Sequence, residues 1–137
     1  MKFFRKIKKI LLTLFCFPLL LSSTCEDDDK TIYCTEEIVS GLVVKIALQG
    51  ESSTTADGIT VIAKDENYTE ELTAYDPNIA EFKGAQERKG NYTIAVSKNG
   101  YKTFISNAIQ VKENECHVIT ETVNVILEKQ WFYKNNL

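Results

Sequence analysis

From Ile38 onward the apolar residues recur at every second position, in short runs divided by polar turns. That is the pattern of strands that turn one face to a core and the other to water. The run LVVKIAL places Val44, Ile46 and Leu48 on one face, and GITVIAK groups Ile59, Val61 and Ala63. YTEELTA reads as a strand carrying Tyr68 and Leu72; IAEFK is short, with Ile79 and Phe82 out of simple alternation. NYTIAVSK sets Tyr92, Ile94 and Val96 against Thr93, Ala95 and Ser97. TFISNAIQVK carries Phe104, Ile109 and Val111, and its phase slips around residues 106–107, which predicts a β-bulge or bend. HVITETVNVILEK aligns Ile119, Val123, Val125 and Leu127.

Turn chemistry falls between the runs: a polar loop at 49–58 ending in Asp-Gly, DEN at 65–67, YDPN at 75–78 and KNG at 98–100. Asn-Gly accepts the positive φ of a type I′ turn, so 98–100 is expected to be a tight hairpin. Seven strands with no long helical stretch predict an all-β domain, a seven-stranded antiparallel β-sandwich.

The first 24 residues follow a different rule. Lys2, Arg5, Lys6, Lys8 and Lys9 precede an apolar run at 10–21, broken by Pro18. The run is too short for a membrane-spanning helix and fits the core of an export signal. It ends in LSSTCEDDDK at 21–30. This segment resembles the signal of a bacterial lipoprotein, in which Cys25 is acylated and becomes the mature N-terminus. It departs from the usual pattern in placing its aliphatic residue, Leu21, one position early and Thr24 before the cysteine. The acids Glu26, Asp27, Asp28 and Asp29 resemble the export signal that sends some such lipoproteins to the outer leaflet. The resemblance implies an outer-membrane protein exposed at the cell surface and joined to the membrane through its lipid. A periplasm-facing anchor, a plain cleaved signal and an uncleaved anchor are the alternatives. Physically the acidic run is also an extended tether, because like charges repel.

The signal changes the charge. The chain has 16 basic and 19 acidic residues, and five of the basic ones lie in the first 24 positions, so the mature form sits near −8. The early basic cluster belongs to export, and a net acidic mature chain argues against a nucleic-acid partner.

Of four cysteines, Cys16 leaves with the signal and Cys25 takes lipid, which leaves Cys34 and Cys116. An exported compartment permits a disulfide between them, joining the opening of the folded region to the start of its last strand. Free thiols and metal ligation are the alternatives, although two cysteines and one distant histidine match no zinc spacing.

GNYTIAVSKNGYKTFI, followed by IQVKENECHVITETVNVILEK, resembles the carboxypeptidase regulatory-like domain. The likeness rests on ERKGNYTI as an Arg-x-Gly-x-Tyr motif, Gly100-Tyr101, Ile109 and Val111, and the final Val123, Val125 and Leu127; Cys116-His117 and Cys34 match cysteines of lipoprotein versions. It covers residues 34–129 and implies a transthyretin-like (prealbumin-like) sandwich acting as an accessory or binding module without peptidase activity. The chain thus divides into a lipoprotein signal (1–24), an acidic tether (25–33), the sandwich (34–129) and an aromatic tail (130–137).

Candidate chemistry is sparse. The sole histidine, His117, is next to Cys116, but neighbouring strand residues face opposite ways, and no nucleophile elbow is present. One histidine cannot build a metallopeptidase centre, and DENYTEELTAYD at 65–76 lacks the glycine and final Glu of a calcium loop. No metal or cofactor is expected. Asn67-Tyr68-Thr69 and Asn91-Tyr92-Thr93 match glycosylation acceptors but read as ordinary strand threonines. Trp131, Phe132 and Tyr133 either cap the sandwich or form a patch for a protein or carbohydrate partner. The expected function is a non-enzymatic binding or structural module. An accessory subunit of a surface complex for glycan or peptide uptake, and an enzyme or inhibitor, are its rivals.

Overall fold

Period-two patterning becomes burial along the chain. The computed structural model describes residues 31–130. Cys25, Glu26, Asp27, Asp28, Asp29, Trp131, Phe132 and Tyr133 lie outside the described residues. Among the described residues nine strands run in order: β1 (Ser40–Leu48), β2 (Ile59–Asp65), β3 (Tyr68–Glu71), β4 (Thr73–Ala74), β5 (Glu81–Gln86), β6 (Gly90–Lys98), β7 (Phe104–Ile105), β8 (Ile109–Val111) and β9 (Glu121–Leu127). The described residues contain no helix. Leu42, Val44 and Ile46 of β1, Ile59, Val61 and Ala63 of β2, and Tyr92, Ile94 and Val96 of β6 form the centre of the core.

Two open sheets share that core, the layout of a β-sandwich. The first has the order β4-β5-β1-β9; the second has β3-β2-β6-β7, with β8 also pairing β6. The chain passes from one sheet to the other between β1 and β2, β3 and β4, β5 and β6, and β8 and β9. Each passage ties the layers covalently, so neither can slide without breaking packing.

Four local features differ from the sequence reading. The run YTEELTA is two strands: β3 pairs β2 in one sheet and β4 pairs β5 in the other. Leu72, 3 % exposed, sits at the corner between them, and its N–H reaches Val61 O at 2.9 Å. The turn at 98–100 closes with Tyr101 N–H on Lys98 O, but only Gly100 has positive φ (83°), which fits a type II turn and not type I′. The pairing is not wholly antiparallel, since β9 runs parallel to β1 from Leu42↔Glu121 to Leu48↔Leu127. A long connection through β8 and residues 112–120 makes this possible, because a parallel pair cannot be joined by a tight hairpin. Finally, Cys116 and His117 precede β9, in the connection from β8, and Val118 takes the buried place while Ile119 faces water.

The slip expected near residues 106–107 is present as a change of register. Val96 faces Phe104 while Tyr92, four residues back, faces Ile109, five residues on. The extra residue makes a bulge, and Ser106 secures it by accepting Ile94 N–H at 2.9 Å on its hydroxyl. In IAEFK the inward positions are Ala80 and Phe82, which puts Ile79 outside.

These placements set a contrast that denaturation can measure. Leu72→Ala should cost about 2–5 kcal/mol through lost burial and the cavity left at the corner. Ile105→Ala, at a side chain 68 % exposed, should change urea stability by less than about 0.5 kcal/mol.

Candidate functional site

The passage from β5 to β6 consists of residues 87–89, and its first two side chains serve opposite sides. Glu87 has φ 47°, and its N–H bonds Val39 O at 3.0 Å. Its carboxylate accepts the Val39 N–H at 2.7 Å and meets the His117 ring Nδ1 at 2.9 Å. Thr35 Oγ1 lies 2.9 Å from the other ring nitrogen, Nε2. A carboxylate can only accept, so Nδ1 carries a proton, and in the neutral ring Nε2 accepts from the Thr35 hydroxyl. The Val39 N–H first, and the His117 ring second, hold the Glu87 carboxyl below the usual range.

Next to this relay stands the Cys34–Cys116 disulfide, with Cα atoms 5.2 Å apart. Asn114 shapes the loop that carries it, its side-chain oxygen accepting the N–H groups of Cys116 and His117, both at 2.9 Å. Sulfur, hydroxyl–imidazole–carboxylate relay and Val39 backbone together clamp residues 34–39 to the loop before β9. An open groove of about 570 Å³ runs over the clamp, lined by Thr35, Glu36, Glu37, Glu87, Glu113, Glu115 and His117 among others. Its charge is strongly negative.

Arg88 points the other way. Its Nη1 donates to Asp65 Oδ2 at 2.8 Å and to Tyr92 Oη at 2.6 Å. The guanidinium carbon lies 4.0 Å from the Tyr68 ring centroid and 5.3 Å from that of Tyr92, and the two rings meet edge to face. The Tyr92 hydroxyl donates to Arg88 O at 3.1 Å, a tyrosine-corner contact that gives a fully buried phenol its partner. Tyr68 donates to Glu70, which also accepts the Ala85 N–H at 2.8 Å. Burial, then the Glu70 carboxylate, push the Tyr68 phenol up. A Cβ at Gly90 would collide with the Asp65 carboxylate and lie 2.9 Å from Arg88 Nη1, so the Arg-x-Gly-x-Tyr spacing has a steric reason.

The structure therefore joins Cys34 to Cys116. The acids of 65–76 do not converge: Asp65 holds Arg88, Glu70 holds Tyr68 and Ala85, and Asp76 accepts the Asn78 N–H at 2.8 Å. Among the described residues no group of three potential metal ligands forms. Sequence reasoning missed Thr35 and Glu87 as partners of His117. They are 82 and 30 residues from it, and no spacing rule links them.

Compared with models of protein families and with curated proteins, the sequence matches none.

Opening the disulfide should be costly. It spans 82 residues, for which the chain-entropy treatment gives roughly 4–5 kcal/mol; urea melts with and without a reductant read this difference. The Glu87 contacts have their own signature. A carboxyl held low in the folded state contributes stability above its unfolded pKa, and that contribution is lost as pH falls through the folded value. Thermal melts taken toward acid should therefore show the wild type losing its advantage over Glu87→Gln below the usual carboxylate range.

Proposed function

We propose that this protein is a lipid-anchored β-sandwich of the bacterial cell envelope, acting as a non-enzymatic binding or structural module. In this reading Cys25 carries the lipid and Glu26, Asp27, Asp28 and Asp29 route the protein to the outer face of the outer membrane. The sandwich is transthyretin-like, of the carboxypeptidase regulatory-like kind. The observation that carries the proposal is the segment LSSTCEDDDK, an apolar run ended by a cysteine and an acidic tether. The folded region supports it. A domain tied to lipid through Cys25 takes any load through residue 34, and there the disulfide passes the load to Cys116 before it reaches β1.

The relay also bears on chemistry. Thr35, His117 and Glu87 have the connectivity of a nucleophile, base and orienting acid. Acyl transfer further needs donors aimed at a developing oxyanion. The N–H groups of Cys116 and His117 are held by Asn114, and that of Val118 faces Glu87 at 3.4 Å. Glu36, Glu37, Glu113 and Glu115 make the groove negative, which opposes an oxyanion. These features favour a clamp over a catalyst.

Two measurements test the proposal. Cys25→Ala should abolish incorporation of labelled palmitate and release the protein from the membrane fraction; labelling that survives the substitution refutes acylation at Cys25. Replacing the four acids with alanine should protect the protein from protease added to whole cells, and unchanged shaving removes their routing role.

A further inference from the structure

Tyr75 stands just after β4 and is 65 % exposed. Its hydroxyl accepts from Gln86 Nε2 at 3.0 Å, which fixes the ring instead of leaving it to swing. The chain beyond it is set by Asp76, whose side chain accepts both the backbone and side-chain N–H of Asn78. Two hollows flank the ring. One, of about 170 Å³, is lined by Tyr75, Asp76, Ile79, Glu81 and Lys83. The other, of about 460 Å³, is lined by Ile38, Ser40, Tyr75, Lys83 and Gln86. Tyr75 and Lys83 are common to both, so they form the ridge between two adjoining subsites.

The charges here cancel. Glu81 lies 3.4 Å from Lys45 and 3.2 Å from Lys83, and with Asp76 of the first hollow the two acids and two lysines sum to zero. The patch is therefore rich in hydrogen-bonding groups yet near neutral, unlike the acidic groove over the disulfide. Each hollow also has one exposed isoleucine, Ile38 or Ile79, beside polar groups that donate and accept. An anionic ligand would need a surplus of positive charge, and an apolar one a deeper, mostly hydrophobic cavity. A sugar ring has the matching character. Its C–H face is apolar and lies on an aromatic ring, and its rim of hydroxyls both donates and accepts.

We propose that Tyr75 is the stacking platform of a carbohydrate site that takes a neutral oligosaccharide across the two hollows, with Lys83, Gln86 and Glu81 as hydrogen-bonding partners. This deepens the binding-module reading by naming a ligand class, and it is independent of acylation at Cys25.

Native electrophoresis of the full chain through gels containing laminarin, galactomannan, xylan or polygalacturonate provides the test. Retardation is expected in at least one neutral gel. With that polysaccharide, calorimetry should show Tyr75→Ala weakening binding about tenfold or more, and Lys83→Ala weakening it as well. Thermal melts of both variants should match the wild type; if Tyr75→Ala lowers stability, Lys83→Ala decides the matter. No retardation in any neutral gel, retardation unchanged in the stable variants, or retardation by polygalacturonate alone would overturn the proposal. Palmitate labelling is read separately, so loss of the anchor and loss of the sugar site are distinguishable.

Discussion

A three-residue passage between sheets, residues 87–89, is the constraint on which the rest of the described structure depends. It must carry the chain from the inner strands of one layer to the other, and it does so with Glu87 at positive φ after Ala85, also positive at 51°. Such backbone costs roughly 1–2 kcal/mol per non-glycine residue. The cost is offset because the twist sends adjacent side chains to opposite sides. Glu87 gathers Val39, His117 and through it Thr35. Arg88 gathers Asp65, Tyr68 and Tyr92. One acid and one base, neighbours in sequence, thus organise the start of the domain and the tyrosine corner.

Polar satisfaction follows from the same arrangement. Tyr92 is fully buried, and its hydroxyl would be destabilising without a partner. Arg88 supplies a donor to it and a carbonyl that accepts from it. Among the described residues, no buried side-chain nitrogen or oxygen lacks a hydrogen bond. The guanidinium itself is partly exposed and keeps contact with water while its carbon lies over the Tyr68 ring.

Much of the fold was legible because burial on one sheet face imposes period two directly on the sequence. Val44, Ile46, Ile59, Val61, Tyr92, Ile94, Val96, Val125 and Leu127 were all readable in this way. What escaped were features that alternation cannot encode. The corner at Leu72 has no glycine or proline to mark it; Leu72 stays buried while its neighbours change sheets. The parallel partnership of β1 and β9 leaves no local trace, because facing strands carry the same pattern in either direction. Ile119 read as an inward residue, but the bridge of Val118 to Glu113 sets the phase one position earlier. The relay around His117 was hidden for another reason: its members come from three distant loops, and only the folded backbone brings them together. Cys34 and Cys116 were readable as a pair because the compartment inferred from the signal allowed only a few fates for two leftover thiols.

The bond between Cys34 and Cys116 makes residues 34–116 a closed covalent ring. A single hydrolytic cut inside that ring, at the exposed 49–58 loop for instance, leaves both pieces joined through sulfur. The two pieces would stay together until a thiol reagent parted them, so damage of this kind is invisible on a gel run without reductant. The crosslink is therefore a means of retention as much as of stability.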